Sequence, residues 1–183
     1  VPGVAPTAGL TSADISHLAF LQAVSFASAA PDPVATATVN QTSATQFSVT
    51  YNVTNADSYA GGIATFDDYG TAGVEFSDLS ALANITLGLS LSSGTGDVYL
   101  ELEDSSGAKD SVLLTGLTTS EQFYRVNLSL FSGLDMTEIS GINLVLKNGE
   151  VPASAVLNVR IGDLPFVPGV APTAGLTSAD ISH

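Results

Sequence analysis

From residue 45 onward the chain alternates apolar and polar positions with a period of two. Phe47, Val49, Tyr51 and Val53 interleave with Ser48, Thr50 and Asn52. Ile85, Leu87, Leu89 and Leu91 interleave with Asn84, Thr86, Gly88 and Ser90. The same rhythm carries Val98, Leu100 and Leu102; Tyr124, Val126, Leu128 and Leu130; Ile142, Leu144 and Leu146; and Leu157, Val159 and Ile161. Successive side chains of a strand point to opposite faces, so these six segments predict antiparallel strands with one buried and one wet face. Shorter strands are expected at 34–39, 63–66 and 112–114. Turn signals separate the segments: Ser93-Gly94-Thr95-Gly96, Asp104-Ser105-Ser106-Gly107 and Asn148-Gly149. About nine or ten antiparallel strands predict an all-β, two-sheet jelly-roll sandwich.

The first thirty residues read differently. Thr11 or Ser12 as cap and Asp14 in the first turn predict a short N-terminal helix that continues through Ile15 and Leu18 and ends near Leu21. A strand with Phe20, Gln22, Val24 and Phe26 on one side should follow, closed by Pro31 and Pro33. Residues 1–17 recur without change as residues 167–183. Seventeen consecutive identities do not arise by chance, and an artificially duplicated end sits poorly with so apolar a stretch. The offset of 166 residues exceeds the roughly 20–50 of solenoid repeats, so the pattern is one of whole domains on a string. Residues 1–10 then form an inter-repeat Pro/Gly linker, 11–166 the sandwich unit, and 167–183 the linker and start of the next unit. The apolar residues of this seam are the candidate inter-repeat interface: Val1, Val4, Leu10, Ile15, Leu18, Phe20, Leu21, Val24 and Phe26, with Val167, Val170, Leu176 and Ile181 from the second copy.

Charge narrows the partners. Eighteen acidic residues face four basic ones, a net charge of −14. Lys109, Arg125, Lys147 and Arg160 are scattered and form no cationic stripe, which argues against nucleic acid and anionic membranes. No apolar run reaches the ~18 residues of a membrane helix; residues 18–30 come nearest, interrupted by Gln22, Ser25 and Ser28. No basic leader precedes Val1, so no export signal is expected within this stretch. There is no cysteine, and hence no disulfide or thiolate metal site. A hydroxyl-rich, lysine-poor composition fits an extracellular or cell-surface setting.

The stretch Gly96-Asp97-Val98-Tyr99-Leu100-Glu101-Leu102-Glu103-Asp104-Ser105-Ser106-Gly107, then Phe123-Tyr124-Arg125-Val126-Asn127-Leu128-Ser129-Leu130-Phe131, then residues 134–146, resembles the galactose-binding-like jelly roll of carbohydrate-binding modules, as found in repeats of bacterial or archaeal surface proteins. The resemblance spans residues 45–164 and is one of fold, not of a binding motif. It implies sugar recognition on exposed rings, and here the chain departs from the pattern because it has no tryptophan. Tyr51 and Tyr124 fall on the inward register and read as core. Tyr59, Tyr69 and Tyr99 remain as a candidate sugar platform.

Other chemistry is sparse. His17 is the unit's lone histidine, and no nucleophile elbow is present. Glu101, Glu103 and Asp104 read first as exposed acids of an acidic domain, so the unit is not expected to be an enzyme. Asp67, Asp68, Asp97, Asp104, Asp110 and Asp163 are hard oxygen donors suited to a structural calcium. The resemblance implies such an ion beside an acid of the last strand, which singles out Asp163. Four glycosylation sequons begin at Asn40, Asn52, Asn84 and Asn127. The leading expectation is a structural repeat of an extracellular filament or giant tandem-repeat surface protein, identical units meeting head to tail as a homopolymer. A multivalent carbohydrate-binding repeat for polysaccharide, and an adhesin spacer, are the alternatives.

Overall fold

Burial follows the alternation strand by strand. In a computed structural model of the chain, described over residues 1–6 and 19–162, the inward rows meet face to face between two sheets. Eleven strands form: β1 (Gly3–Val4), β2 (Gln22–Ala27), β3 (Thr36–Ser43), β4 (Gln46–Asn52), β5 (Tyr59–Thr65), β6 (Asn84–Leu91), β7 (Gly96–Asp104), β8 (Lys109–Leu117), β9 (Gln122–Asn127), β10 (Ile139–Lys147) and β11 (Ser154–Ile161). One sheet has the order β1-β8-β7-β10-β5-β2, the other β3-β4-β11-β6-β9. Val98, Leu100 and Leu102 of β7 and Ile142, Leu144 and Leu146 of β10 join Leu87, Leu89 and Leu91 of β6 and Leu157 and Ile161 of β11 in one buried core. This is the jelly-roll β-sandwich expected from the periodicity.

Several expectations need correction. β1, only two residues long, lies below the reach of any periodicity, and it pairs with β8 in parallel, the exception in an otherwise antiparallel set. The start of residues 1–10 is anchored there: Leu113 N donates to the Pro2 carbonyl at 2.7 Å. The expected helix falls mostly on residues outside the described ones. Where its end is described it is not helical: Phe20 N donates to Ala44 O and Leu21 N to Thr65 O, both at 2.9 Å. Tertiary pairing with the sheets takes those donors. Among the described residues the helical structure is one 3-10 turn, Leu128–Leu130.

Strand β5 begins four residues earlier than the sequence suggests, at Tyr59. Gly61 and Gly62 precede the expected strand, yet both lie in it, with both faces crowded there. A Cβ on Gly62 would come within 2.8 Å of Phe47 and Val49, and one on Gly61 within 2.5 Å of Phe26. Glycine inside a strand often marks such close approach.

Tyr51 and Tyr124 are core residues, 2% and 0% exposed. The Tyr124 hydroxyl donates to the Thr115 carbonyl at 2.9 Å. The Tyr51 hydroxyl is buried without a partner, and burial pushes its pKa up to about 12. Burial, followed by the nearby Asp97 charge, raises Tyr124 as well. In the unfolded chain both titrate near 10, so above that pH the unfolded state loses protons that the native state keeps. Stability should therefore be intact below pH 10 and fall as pH rises toward about 12. Tyr51→Phe should soften that fall and cost nothing at neutral pH, since it removes an unpaired buried polar group. Urea unfolding of both proteins between pH 8 and pH 11.5 checks this.

Candidate functional site

The outer face of the six-stranded sheet carries a groove of about 390 Å³. Its lining comes from the outward halves of five strands: Phe26 of β2, Tyr59 and Ile63 of β5, Asn143 and Val145 of β10, Glu101 of β7 and Lys109 of β8. Phe26 is registered opposite Gly61, and the missing side chain there lets the Phe26 ring settle over the sheet. Its centroid is 6.5 Å from that of Tyr59, the planes tilted by 47°. One wall is thus a paired aromatic surface.

The other wall is polar and tied together. Asn143 sits in the middle of β10, only 2% exposed. Its Nδ2 donates to Glu101 Oε1 at 2.9 Å and to Glu103 Oε2 at 3.4 Å. Its Oδ1 has no partner. Lys109 Nζ bridges the same carboxylates, 3.1 Å from Glu103 and 3.7 Å from Glu101. Burial works to lower the Lys109 pKa, but the two carboxylates together outweigh it and raise it. Along the same face Tyr99 lies beneath Lys147, whose Nζ is 4.2 Å from the ring centroid. Burial, then the charges of Glu150 and Asp97, raise the Tyr99 pKa.

At Ile63 the groove continues into a second cleft of about 320 Å³, whose lining includes Asp67, Tyr69, Glu103 and Asp104. Asp67, Asp68 and Glu75 offer carboxylate oxygens within 4.8 Å of one another, a donor set that suits a hard cation. Those carboxylates are also engaged locally. Asp67 Oδ1 accepts from Tyr69 N at 2.8 Å, Asp68 Oδ1 from Gly70 N at 2.7 Å, and Glu75 Oε2 from Asp68 N at 3.2 Å. The hydrogen bond from the Thr71 hydroxyl leads the interactions that lower the Glu75 pKa.

The structure sorts the sequence candidates by face. Tyr59 and Tyr99 lie on the outer face of the six-stranded sheet, with Tyr69 at its rim. Asp67 and Asp68 come together, joined by Glu75, which the sequence reading missed. Asp97 and Asp104 stand apart from that set: Asp97 Oδ1 accepts from Gly116 N, and Asp104 Oδ1 from Ser106 N, each at 2.9 Å. Asp110 Oδ2 accepts from Ser132 N at 2.7 Å. Asp163 lies outside the described residues, as do His17, Leu10, Ile15, Leu18, Val167, Val170, Leu176 and Ile181. Of the remaining seam residues, Phe20 is spent inside its own unit, edge-on to Phe47 at 5.6 Å. Val24 and Phe26 belong to β2, Val4 packs half-buried on the core, and Val1 and Leu21 are exposed.

All four sequon asparagines lie on the outward register of the five-stranded sheet, on β3, β4, β6 and β9. The sequence reading passed over Phe26, Asn143 and Lys109 as groove residues. The alternation at Ile142-Asn143-Leu144 marks Asn143 only as an outward residue; the one hint of a covered outer face is the apolar Val145 on the same register.

Neither the family models nor the curated proteins contain a match to this chain. Among solved structures, it is similar to the family 11 carbohydrate-binding module of the cellulosomal cellulase Lic26A-Cel5E of Clostridium thermocellum. The identity is 15% and the TM-score 0.51, over 80% of this chain and 89% of that one. A family 11 module from the same organism, in complex with a β-1,3-1,4-mixed-linked tetrasaccharide, aligns with the same identity and TM-score over 82% of this chain and 94% of that one. The likeness places the chain in the jelly-roll fold of carbohydrate-binding modules.

Gly61→Ala tests the packing that builds the aromatic wall. The added methyl meets the Phe26 ring and the Leu144 carbonyl, so the variant should lose about 1–3 kcal/mol of stability. Because the tighter contact is with the backbone carbonyl, adding Phe26→Ala should not recover the loss, read from urea midpoints at unchanged m.

Proposed function

We propose that the unit is a non-catalytic carbohydrate-binding module that takes a neutral polysaccharide along the outer face of its six-stranded sheet, in an extracellular setting. The observation that carries this reading is the Phe26–Tyr59 ring pair, centroids 6.5 Å apart, walling a groove that Glu101 and Lys109 close on its other side. Tyr59 and the side chains of Glu101 and Glu103 all reach solvent, so a polysaccharide can touch both walls at once. The C–H faces of a sugar ring suit the aromatic wall, while Glu101 and Glu103 accept from its hydroxyls. Few precisely placed polar groups on an apolar surface are what a ligand groove needs. Glu101 and Glu103 are held by one amide and one ammonium group, an arrangement for binding rather than proton transfer. The net charge of −14 disfavours acidic polysaccharides. The family 11 neighbour with its bound tetrasaccharide supports the reading by analogy of fold.

A second reading is favoured by the recurrence of residues 1–17 at 167–183. In it the unit is one member of a tandem array, a filament or a spacer on a cell surface. The two readings are compatible, because several weak grooves on one chain bind with avidity.

Affinity electrophoresis and calorimetry against soluble mixed-linkage β-glucan, xyloglucan, mannan and polygalacturonate test the groove. At least one neutral polymer should retard the chain, and polygalacturonate should not. Tyr59→Ala, at an exposed ring, should weaken that binding about tenfold, or about 1.4 kcal/mol, with an unchanged melting temperature. Failure of every neutral polymer to bind sinks the proposal.

A further inference from the structure

Residues 1–6 sit at one edge of the six-stranded sheet, against β8. Only two residue pairs are in register there, Gly3 with Leu113 and Val4 with Leu114. By contrast, β2 closes the opposite edge with six pairs, Gln22 to Ala27. The seat is nonetheless specific. Leu113 N donates to the Pro2 carbonyl at 2.7 Å, and the Thr115 hydroxyl to the Val4 carbonyl at 3.3 Å. Val4 packs on the core. Pro6 lies over Gly116, where a Cβ would approach its ring to 3.5 Å. Each feature of Val-Pro-Gly-Val-Ala-Pro from Pro2 to Pro6 is thus matched by β8, except Ala5. The same hexapeptide occurs again at residues 167–172.

We infer that the β8 edge of one copy accepts residues 167–172 of a second copy in place of its own residues 1–6, so that copies join head to tail by strand exchange. This deepens the repeat-unit reading and is independent of the groove. Strand β8 cannot tell two identical hexapeptides apart, so the exchange replaces like with like and loses no contact. An uncovered sheet edge is a template for any matching strand. A seat at β8 and a matching strand elsewhere on the chain make a heterologous contact, which propagates instead of closing on itself. The copy's own strand holds the advantage of a covalent tether, equivalent to an effective concentration on the order of millimolar. Exchange is therefore favoured where copies are crowded or where the resident strand is weakened.

The chain has no cysteine, which allows a direct trap in the full-length protein. Leu113→Cys and Gly169→Cys place one thiol on β8 and one at the counterpart of Gly3, the residue in register with Leu113, and Leu113→Cys with Gly3→Cys, which closes within one chain, establishes that the pair can link. Under mild oxidation the first double variant should give a ladder of disulfide-linked oligomers on non-reducing gels, growing as protein rises from micromolar to millimolar. Adding Val4→Asp, which weakens the resident strand, should enrich the ladder at least fivefold at equal concentration. Adding Val170→Asp should abolish it. The concentration series with Val4 intact gives the same answer should Val4→Asp fail to fold. Absence of the 113–169 link across the concentration series, or its formation only within single chains, overturns the inference. Sugar binding by the reduced monomers should be unaffected, which separates this result from the groove's.

Discussion

Strand β10 is covered on both faces as far as Leu144, and much of the molecule follows from that constraint. Ile142, Leu144 and Leu146 fill the core, as the alternation demands. Two of its outward residues are not given to water either: Gly141 and Asn143 are buried among β5 and β7, while Val145 and Lys147 reach the surface. Where the outer face of a central strand is buried, a crowded position needs a small residue and a polar one needs partners. Glycine answers the first need at 141, where a Cβ would come within 3.1 Å of Ile63. Asn143 answers the second only in part. Its amide nitrogen is bound by Glu101 and Glu103, which in turn hold Lys109, while its oxygen is left over. The polar wall of the groove is thus a consequence of how the sheet's centre is packed.

The fold was legible because one face of most strands is a clean apolar row. Val98-Leu100-Leu102 and Leu157-Val159-Ile161 go where a period of two sends them. The pattern failed where pairing, not side-chain chemistry, decides the structure. Gly61 and Gly62 carry no hydrophobic signal, yet they are strand residues held by neighbours on both sides. Leu21 and Phe20 look helical in isolation, and their backbone donors are claimed by Thr65 and Ala44 instead. The site was less legible than the fold. Tyr59 and Tyr99 were visible as rings without a core position. Asn143 and Phe26 take their roles from cross-strand neighbours, Glu101 and Gly61, which a linear pattern does not join.

The acidity of the chain has a local structural use. Asp67, Asp68, Asp78, Asp104 and Asp135 each accept a hydrogen bond from the backbone N–H two residues on, at 2.7–3.0 Å. These are Asx turns, in which a short carboxylate replaces a backbone acceptor. Asp104 does most, taking in addition the N–H groups of Asp135 and Ala108. The bond from Asp135 N leads those that lower its pKa. A cysteine-free sandwich fastens its loops in this way, with acids as the clips.

Two sequons use the same clip written with an amide. Asn52 Oδ1 accepts from Thr54 N and Asn127 Oδ1 from Ser129 N. An N-linked sugar is attached through the amide nitrogen, so the oxygen would keep its bond and the turn would survive decoration. Because those two sites and the other two point away from the aromatic groove, a coat of glycans on one broad side would leave the opposite side bare. The sandwich is in this sense a two-sided plate, one side open to dressing by the host and the other free to touch.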